Sequence, residues 1–222
     1  MVDLPLARSA KSDQQGFTLV ELLVSMLVFS IFLTILISSV VGITRASTRV
    51  SVIAQTSNGI LSVFQSMDRQ VRYADSINFP AIVSGGNVYV EFRTPASSTS
   101  SGVTTCTQYR YVPTTLSLQL RQWPDVAGTA APDWINGLTN VANDGGTTYP
   151  FKMTPASSGG SLMQQLSLSI DGGVSPIKGA AIATTFVARN SSVASPSNAQ
   201  SVVAGTSDTP VCIADLGSAA RP

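Results

Sequence analysis

The 222-residue chain contains no histidine, only two glutamates (Glu21 and Glu91), three lysines and two cysteines, and charged residues make up 11% of it. Each scarcity closes a class of chemistry. A Ser-His-Asp site is impossible, and with no histidine and no CxxC spacing the ligand set of a zinc centre is missing. Catalysis needs converging titratable groups, and beyond the first forty residues there is one glutamate and there are two lysines, with no recognisable spacing among them. The expectation is that the protein is not an enzyme, has no catalytic residues and carries no cofactor or metal. A formal net charge of +1 offers no basic stripe for nucleic acid. Partners are therefore expected to be proteins. Asp125, Asp133, Asp144 and Asp171 stand in Gly-rich segments, but none forms a DxDxDG loop, and Asx turns account for them more simply than calcium. Asn190-Ser191-Ser192 is a glycosylation sequon by pattern alone.

What is abundant is apolar and uncharged. From 22 to 44 runs a stretch without one charged residue. At about 1.5 Å per residue it reaches roughly 34 Å, enough for one helix to cross a hydrocarbon core of about 30 Å. Glu21 stands at its head. A carboxylate there costs up to roughly 3 kcal/mol at the bilayer centre and less near the interface, which makes it a functional candidate rather than filler. The segment before it is polar, with Arg8 and Lys11 and no apolar stretch of its own. The order is thus the reverse of an ordinary secretory signal, whose cleavage site follows the apolar region; the one such site here, Thr44-Arg45-Ala46, is weak.

Gln15-Gly16-Phe17-Thr18-Leu19-Val20-Glu21-Leu22-Leu23 resembles the class III signal of type IV prepilins and type II secretion pseudopilins. The resemblance implies that prepilin peptidase cuts after Gly16 and that Phe17 becomes the N-methylated first residue. It also implies that Glu21 pairs with the α-amino group of a neighbouring subunit during assembly. In a low-dielectric fibre core a lone carboxylate is far costlier than a paired one. Arg8 and Lys11 before the span balance Arg45 and Arg49 after it, so charge does not orient the chain. The resemblance does, placing residues 1–16 in the cytoplasm as a leader and everything after about Arg45 outside the cytoplasmic membrane. Cys106 and Cys212 both fall in that exported part. An oxidising compartment allows a disulfide closing a loop of about a hundred residues, worth about 4 to 5 kcal/mol in the chain-entropy model. Two unpaired thiols are the alternative, since sequence does not show whether the two Cα atoms come within about 7 Å.

From Phe17 to Phe79 there is no proline, and Pro80 marks a helix boundary. After the span, Val50, Ile53, Ser57, Ile60, Phe64, Met67, Val71 and Ala74 step by three and four, predicting an amphipathic continuation of the helix over 45–79. Gly42 and Gly59 are soft points in it. Met67-Asp68-Arg69-Gln70-Val71-Arg72-Tyr73-Ala74 resembles the helix end that precedes the first strand in J-type minor pseudopilins and W-type minor pilins. Beyond Pro80 the period becomes two. Strands are expected at 87–93, 106–112, 116–121, 162–170 and 182–189, with a hairpin turn at Pro113-Thr114-Thr115 and turns at Gly85-Gly86 and Asp171-Gly172-Gly173. Residues 123–146 read as loop. Trp123 and Trp134 are expected to pack at the core edge rather than stack on a ligand. Residues 191–222 read as a flexible Ser/Ala/Gly-rich tail, apart from a short piece, 210–213, held at Cys212.

The expected architecture is α+β and pilin-like. A long N-terminal helix, its first half (17–44) in the membrane or fibre core, packs on an antiparallel head of four to six strands over 80–190. The resemblance implies a minor pilin or pseudopilin, drawn from the membrane into a type IV pilus-like or type II secretion filament with other pilin subunits. Two alternatives remain: a bitopic membrane-anchored binding module that never polymerises, and the major pilin itself.

Overall fold

The absence of proline over some sixty residues yields one continuous helix, α1 (Leu19–Arg72, 54 residues). The computed structural model describes residues 16–82, 86–130, 132–142, 150–174, 177–199 and 211–212. The leader up to residue 15, Gly85, the Asn143-Asp144-Gly145-Gly146 turn and most of the C-terminal tail lie outside these. The chain forms two compact units, Met1–Thr48 and Arg49–Pro222. In the first, every described residue is exposed. Gly42 has nothing within 4 Å of the position its Cβ would take, so no packing demand explains it.

In the second unit α1 buries Thr56, Ile60, Val63, Met67 and Val71, at steps of four, three, four and four. This face is turned slightly from the expected stripe: Val50 and Ile53 are exposed, Ser57 and Phe64 only half-buried. The cause lies in the strands opposite. A Cβ on Gly172 would come within 3.0 Å of the Thr56 Cβ, and one on Gly179 within 2.5 Å of the Thr56 Oγ1. Only glycine lets helix and sheet approach this closely. Gly59 is likewise a contact rather than a weak point, since a Cβ there would meet Leu138 Cδ1 at 2.4 Å.

The helix also stops at Arg72 rather than Phe79. Ala74 N–H closes it on the Val71 carbonyl at 3.0 Å. Asp75 N–H then bonds the Arg93 carbonyl at 2.9 Å and Asn78 N–H the Glu91 carbonyl at 2.8 Å, so the chain enters a sheet edge before proline compels it to turn. Arg93 reinforces the exit by gripping both Asp75 carboxylate oxygens at 3.1 and 3.0 Å.

Two antiparallel sheets follow, where one was expected. The first contains β1 (Ser76–Ile77), β2 (Ala81–Ile82), β3 (Val88–Thr94), β4 (Thr105–Val112), β5 (Ser117–Pro124) and β6 (Ile135–Thr139), in the order β1-β3-β4-β5-β6 with β2 also on β3. The second contains β7 (Val141–Ala142), β8 (Phe151–Thr154), β9 (Gln165–Val174) and β10 (Ile177–Val187); β9 pairs with β10 on one side and with β7 and β8 on the other. Period-two alternation sends Val90, Phe92, Tyr109, Tyr111, Leu118 and Leu138 inward from the first sheet to meet Phe151, Leu166, Leu168, Ile170 and Phe186 of the second. Phe64 of α1 joins this core through Phe186, with ring centroids 5.5 Å apart.

Three sequence readings are overturned here. The segment 123–146 read as loop holds the end of β5, then β6, whose Asn136 and Gly137 hide the alternation, and β7, two residues long and too short to show a period. Asp171-Gly172-Gly173, read as a turn, lies within β9. The glycines are there for clearance from Thr56 and for a bulge opposite Lys178, at which Gly173 takes φ +144. The tail reading also fails over 191–199. Gln164 is fully buried; its Oε1 accepts from Ile77 N–H at 2.8 Å and its Nε2 donates to Ser197 Oγ at 2.9 Å and to Asn198 Oδ1 at 2.8 Å. Gln164 N–H donates to Ser191 Oγ, also at 2.8 Å, so the Ser-rich segment is fastened by buried polar bonds.

Candidate functional site

At the N-terminus Gly16 and Phe17 precede α1, and Phe17 is 84% exposed. Thr18 begins the helix. Its Oγ1 accepts the Glu21 N–H at 3.3 Å, and its carbonyl accepts the Leu22 N–H at 3.2 Å. Thr-x-x-Glu is the capping-box spacing, the sequence signal that marks Thr18 as a cap. Glu21, exposed in the first turn, places its negative charge at the positive end of the helix dipole. Gly16, Phe17 and Glu21 thus stand together within one helical turn of the α1 start.

Beyond Glu21, α1 carries a window of mean hydropathy 2.6, none of it buried, long and apolar enough to cross a membrane. Four of its hydroxyls bond back to the helix. Ser25 donates to the Leu22 carbonyl, Ser30 to Met26, Thr34 to Ser30 and Thr44 to Val40, at 2.8 to 2.9 Å. Hydroxyls bonded back to the helix's own carbonyls are not orphan donors toward lipid or a neighbouring helix.

In the head, Cys106 and Cys212 are joined by a disulfide, with Cα atoms 6.2 Å apart. The bridge is buried with Trp123 and Val211 in a second, smaller core on the outer face of the first sheet. Asp125 brings a carboxylate within 4.8 Å of the two sulfurs, the one grouping of metal-type ligands among the described residues. Sulfurs bonded to each other have no thiolate to offer a metal. The same face holds Trp134 between two guanidiniums, Arg110 and Arg121, each 4.1 Å from its ring centroid, with Tyr89 edge-on at 5.8 Å. Burial, then repulsion from Arg110, lowers the Arg121 pKa, while Tyr89 and Glu91 raise it. Cross-strand register creates this stack, and nothing in the linear sequence announced it. Both tryptophans are thus packed on protein groups, though on the outer face rather than at the edge of the main core.

Residues 11–37 match the family model of the prokaryotic N-terminal methylation motif. No curated protein and no solved structure matches the chain. The match covers the N-terminus only. A methylation motif of the type IV prepilin-like kind thus heads an exposed apolar helix long enough to cross a membrane, on a pilin-like α+β layout.

Proposed function

We propose that the protein is a minor pilin or pseudopilin, a structural subunit of a type IV pilus-like or type II secretion filament, and not an enzyme. Prepilin peptidase cuts after Gly16 and Phe17 is N-methylated. The head lies outside the cytoplasmic membrane until the helix moves from lipid into the fibre core. The observation that carries the reading is the methylation motif placed directly at the head of an uncovered apolar helix. Assembly is then a partition between two apolar surroundings rather than a reaction. Glu21 gives the transfer its register. Unpaired in the fibre core it is strongly unfavourable, and paired with the α-amino group of the adjoining subunit it is tolerated. The helix end at 67–74, with its resemblance to minor subunits, favours a minor over a major role.

Intact-mass and N-terminal analysis of the protein from its own cells tests this directly. A mature chain beginning at N-methylated Phe17 is expected. An unprocessed N-terminus in cells that possess the peptidase would instead indicate a static membrane anchor.

A further inference from the structure

β10 is the end strand of the second sheet. Ala188 N–H bonds the Gln164 carbonyl at 2.9 Å, which fixes the alternation along the β9–β10 ladder: Ile182, Thr184 and Phe186 exchange bonds with β9. The Ser169 N–H agrees, turning away from β10 to the Pro150 carbonyl at 2.8 Å. The odd-numbered residues Ala181, Ala183, Thr185 and Val187 therefore point their backbone N–H and C=O groups out of the sheet. Among the described residues no backbone bond reaches them from outside the ladder. Their side chains are also exposed.

The open stretch is sharply bounded. Before it, the ladder shifts register between Lys178 and Ala181, and Ala180 N–H turns to Thr56 Oγ1 at 3.4 Å. After it, Arg189 N–H is taken by the Arg72 carbonyl at 3.0 Å. Between these limits lie seven residues, 181–187, with no charge and no proline. At about 3.3 Å per residue they form a flat edge of about 23 Å. Exposed edges of this kind are normally blunted by an inward charge, a proline or a covering element. Among the described residues this one has only the bulge at one end.

We propose that the edge of β10 is a docking site for an extended strand of a partner protein, one whose uncharged β-forming run ends in carboxylates. The flanks decide the occupant. Lys178 and Arg189 are both exposed and bracket the uncharged run. Self-pairing of two copies is opposed by these charges: any antiparallel register that keeps 181–187 paired brings Lys178 of one copy within about a residue of Arg189 of the other, at both ends. A strand with an acidic residue at each end meets both cations instead, and its main chain satisfies the outward groups. The inference stands on the head alone and does not depend on the filament reading.

The test uses the full chain in detergent with a fluorescent synthetic peptide of alternating threonine and valine closed by aspartate at each end, followed by anisotropy. The aspartate-ended peptide is expected to bind about tenfold or more tightly than the same peptide ended by lysines. Thr185→Pro removes an outward N–H that serves no ladder bond and is expected to abolish binding while leaving the thermal transition in place. Lys178→Glu with Arg189→Glu, both at exposed side chains, is expected to reverse the preference to the lysine-ended peptide. Absence of binding, equal binding of the two peptides, or binding unaffected by Thr185→Pro would overturn the proposal. So would a Thr185-dependent dimer in sedimentation, which would make a second copy the occupant.

Discussion

Thr18 and Glu21 share one helical turn but carry separable burdens. Thr18 caps the first turn, and Thr18→Ala should weaken that turn by about 1 kcal/mol while leaving the carboxylate in place. Glu21→Ala keeps the cap acceptor and removes the charge. If the proposed pairing drives register in a fibre, Glu21→Ala should reduce incorporation into the sheared filament fraction far more than Thr18→Ala; equal losses would reduce Glu21 to a helix-start residue. A second residue-scale effect belongs to Tyr109. Burial raises its pKa to about 12, against smaller opposing effects from the Ser66 hydrogen bond and the Arg69 charge, and its hydroxyl donates to Gln70 Oε1 at 2.9 Å. A folded value above the unfolded value near 10 means the neutral phenol favours the fold. That contribution is complete below about pH 10, declines through the window to about pH 12 and is gone above it, a loss of about 3 kcal/mol. Denaturant titrations across this window should show the decline, and Tyr109→Phe should flatten it.

At the scale of elements, legibility followed periodicity. α1 was readable because sixty residues without proline and a long uncharged run leave the chain few other choices, and β3, β4 and β5 because each alternates cleanly. The helix end at Arg72 was not readable, since it is set by bonds from Asp75 and Asn78 to β3 rather than by a local breaker. The glycines of β9 misled for a related reason: they serve contact with Thr56, a residue more than a hundred positions away, and by themselves look like a turn. Of the candidate site, the N-terminal residues announced themselves as a compact motif. The Trp134–arginine stack and the Gln164 network did not, because they exist only through register. Composition alone made 191–199 look like tail, yet this segment is held to β1 and β9 by Gln164. Gln164→Ala would leave the Ile77 N–H without its acceptor and take one bond each from Ser197, which keeps Ser76 Oγ, and Asn198, which keeps the Ala156 N–H, and should lower stability by about 2 kcal/mol. Amide exchange resolved by residue would show protection lost first around 191–199. Unchanged protection there would mean that Ser191 and Asn198 hold the segment by themselves.

At the scale of the molecule, charge is sparse and the interior is divided, so the head depends on more than one core. The main core joins α1 to both sheets, while the outer face of the first sheet keeps a second cluster of Cys106, Trp123, Val211 and Cys212. The four described members of this cluster bury too little apolar surface to hold the segment at 211–212 in place against its conformational entropy. The disulfide supplies the difference. It links positions 106 residues apart, and in the chain-entropy model such a loop contributes about 4 to 5 kcal/mol by restricting the unfolded ensemble. Replacing both cysteines with alanine should therefore lower the unfolding free energy by about that amount. Trp123, 2% exposed beside the bridge, reports the local consequence. In the double variant its emission should shift to longer wavelength at denaturant concentrations where far-ultraviolet dichroism is still native, because the outer-face cluster loses its tether before the main core opens. A shift coincident with global unfolding would show instead that Val211 and its neighbours stay seated without the bridge, and that the two clusters melt as one.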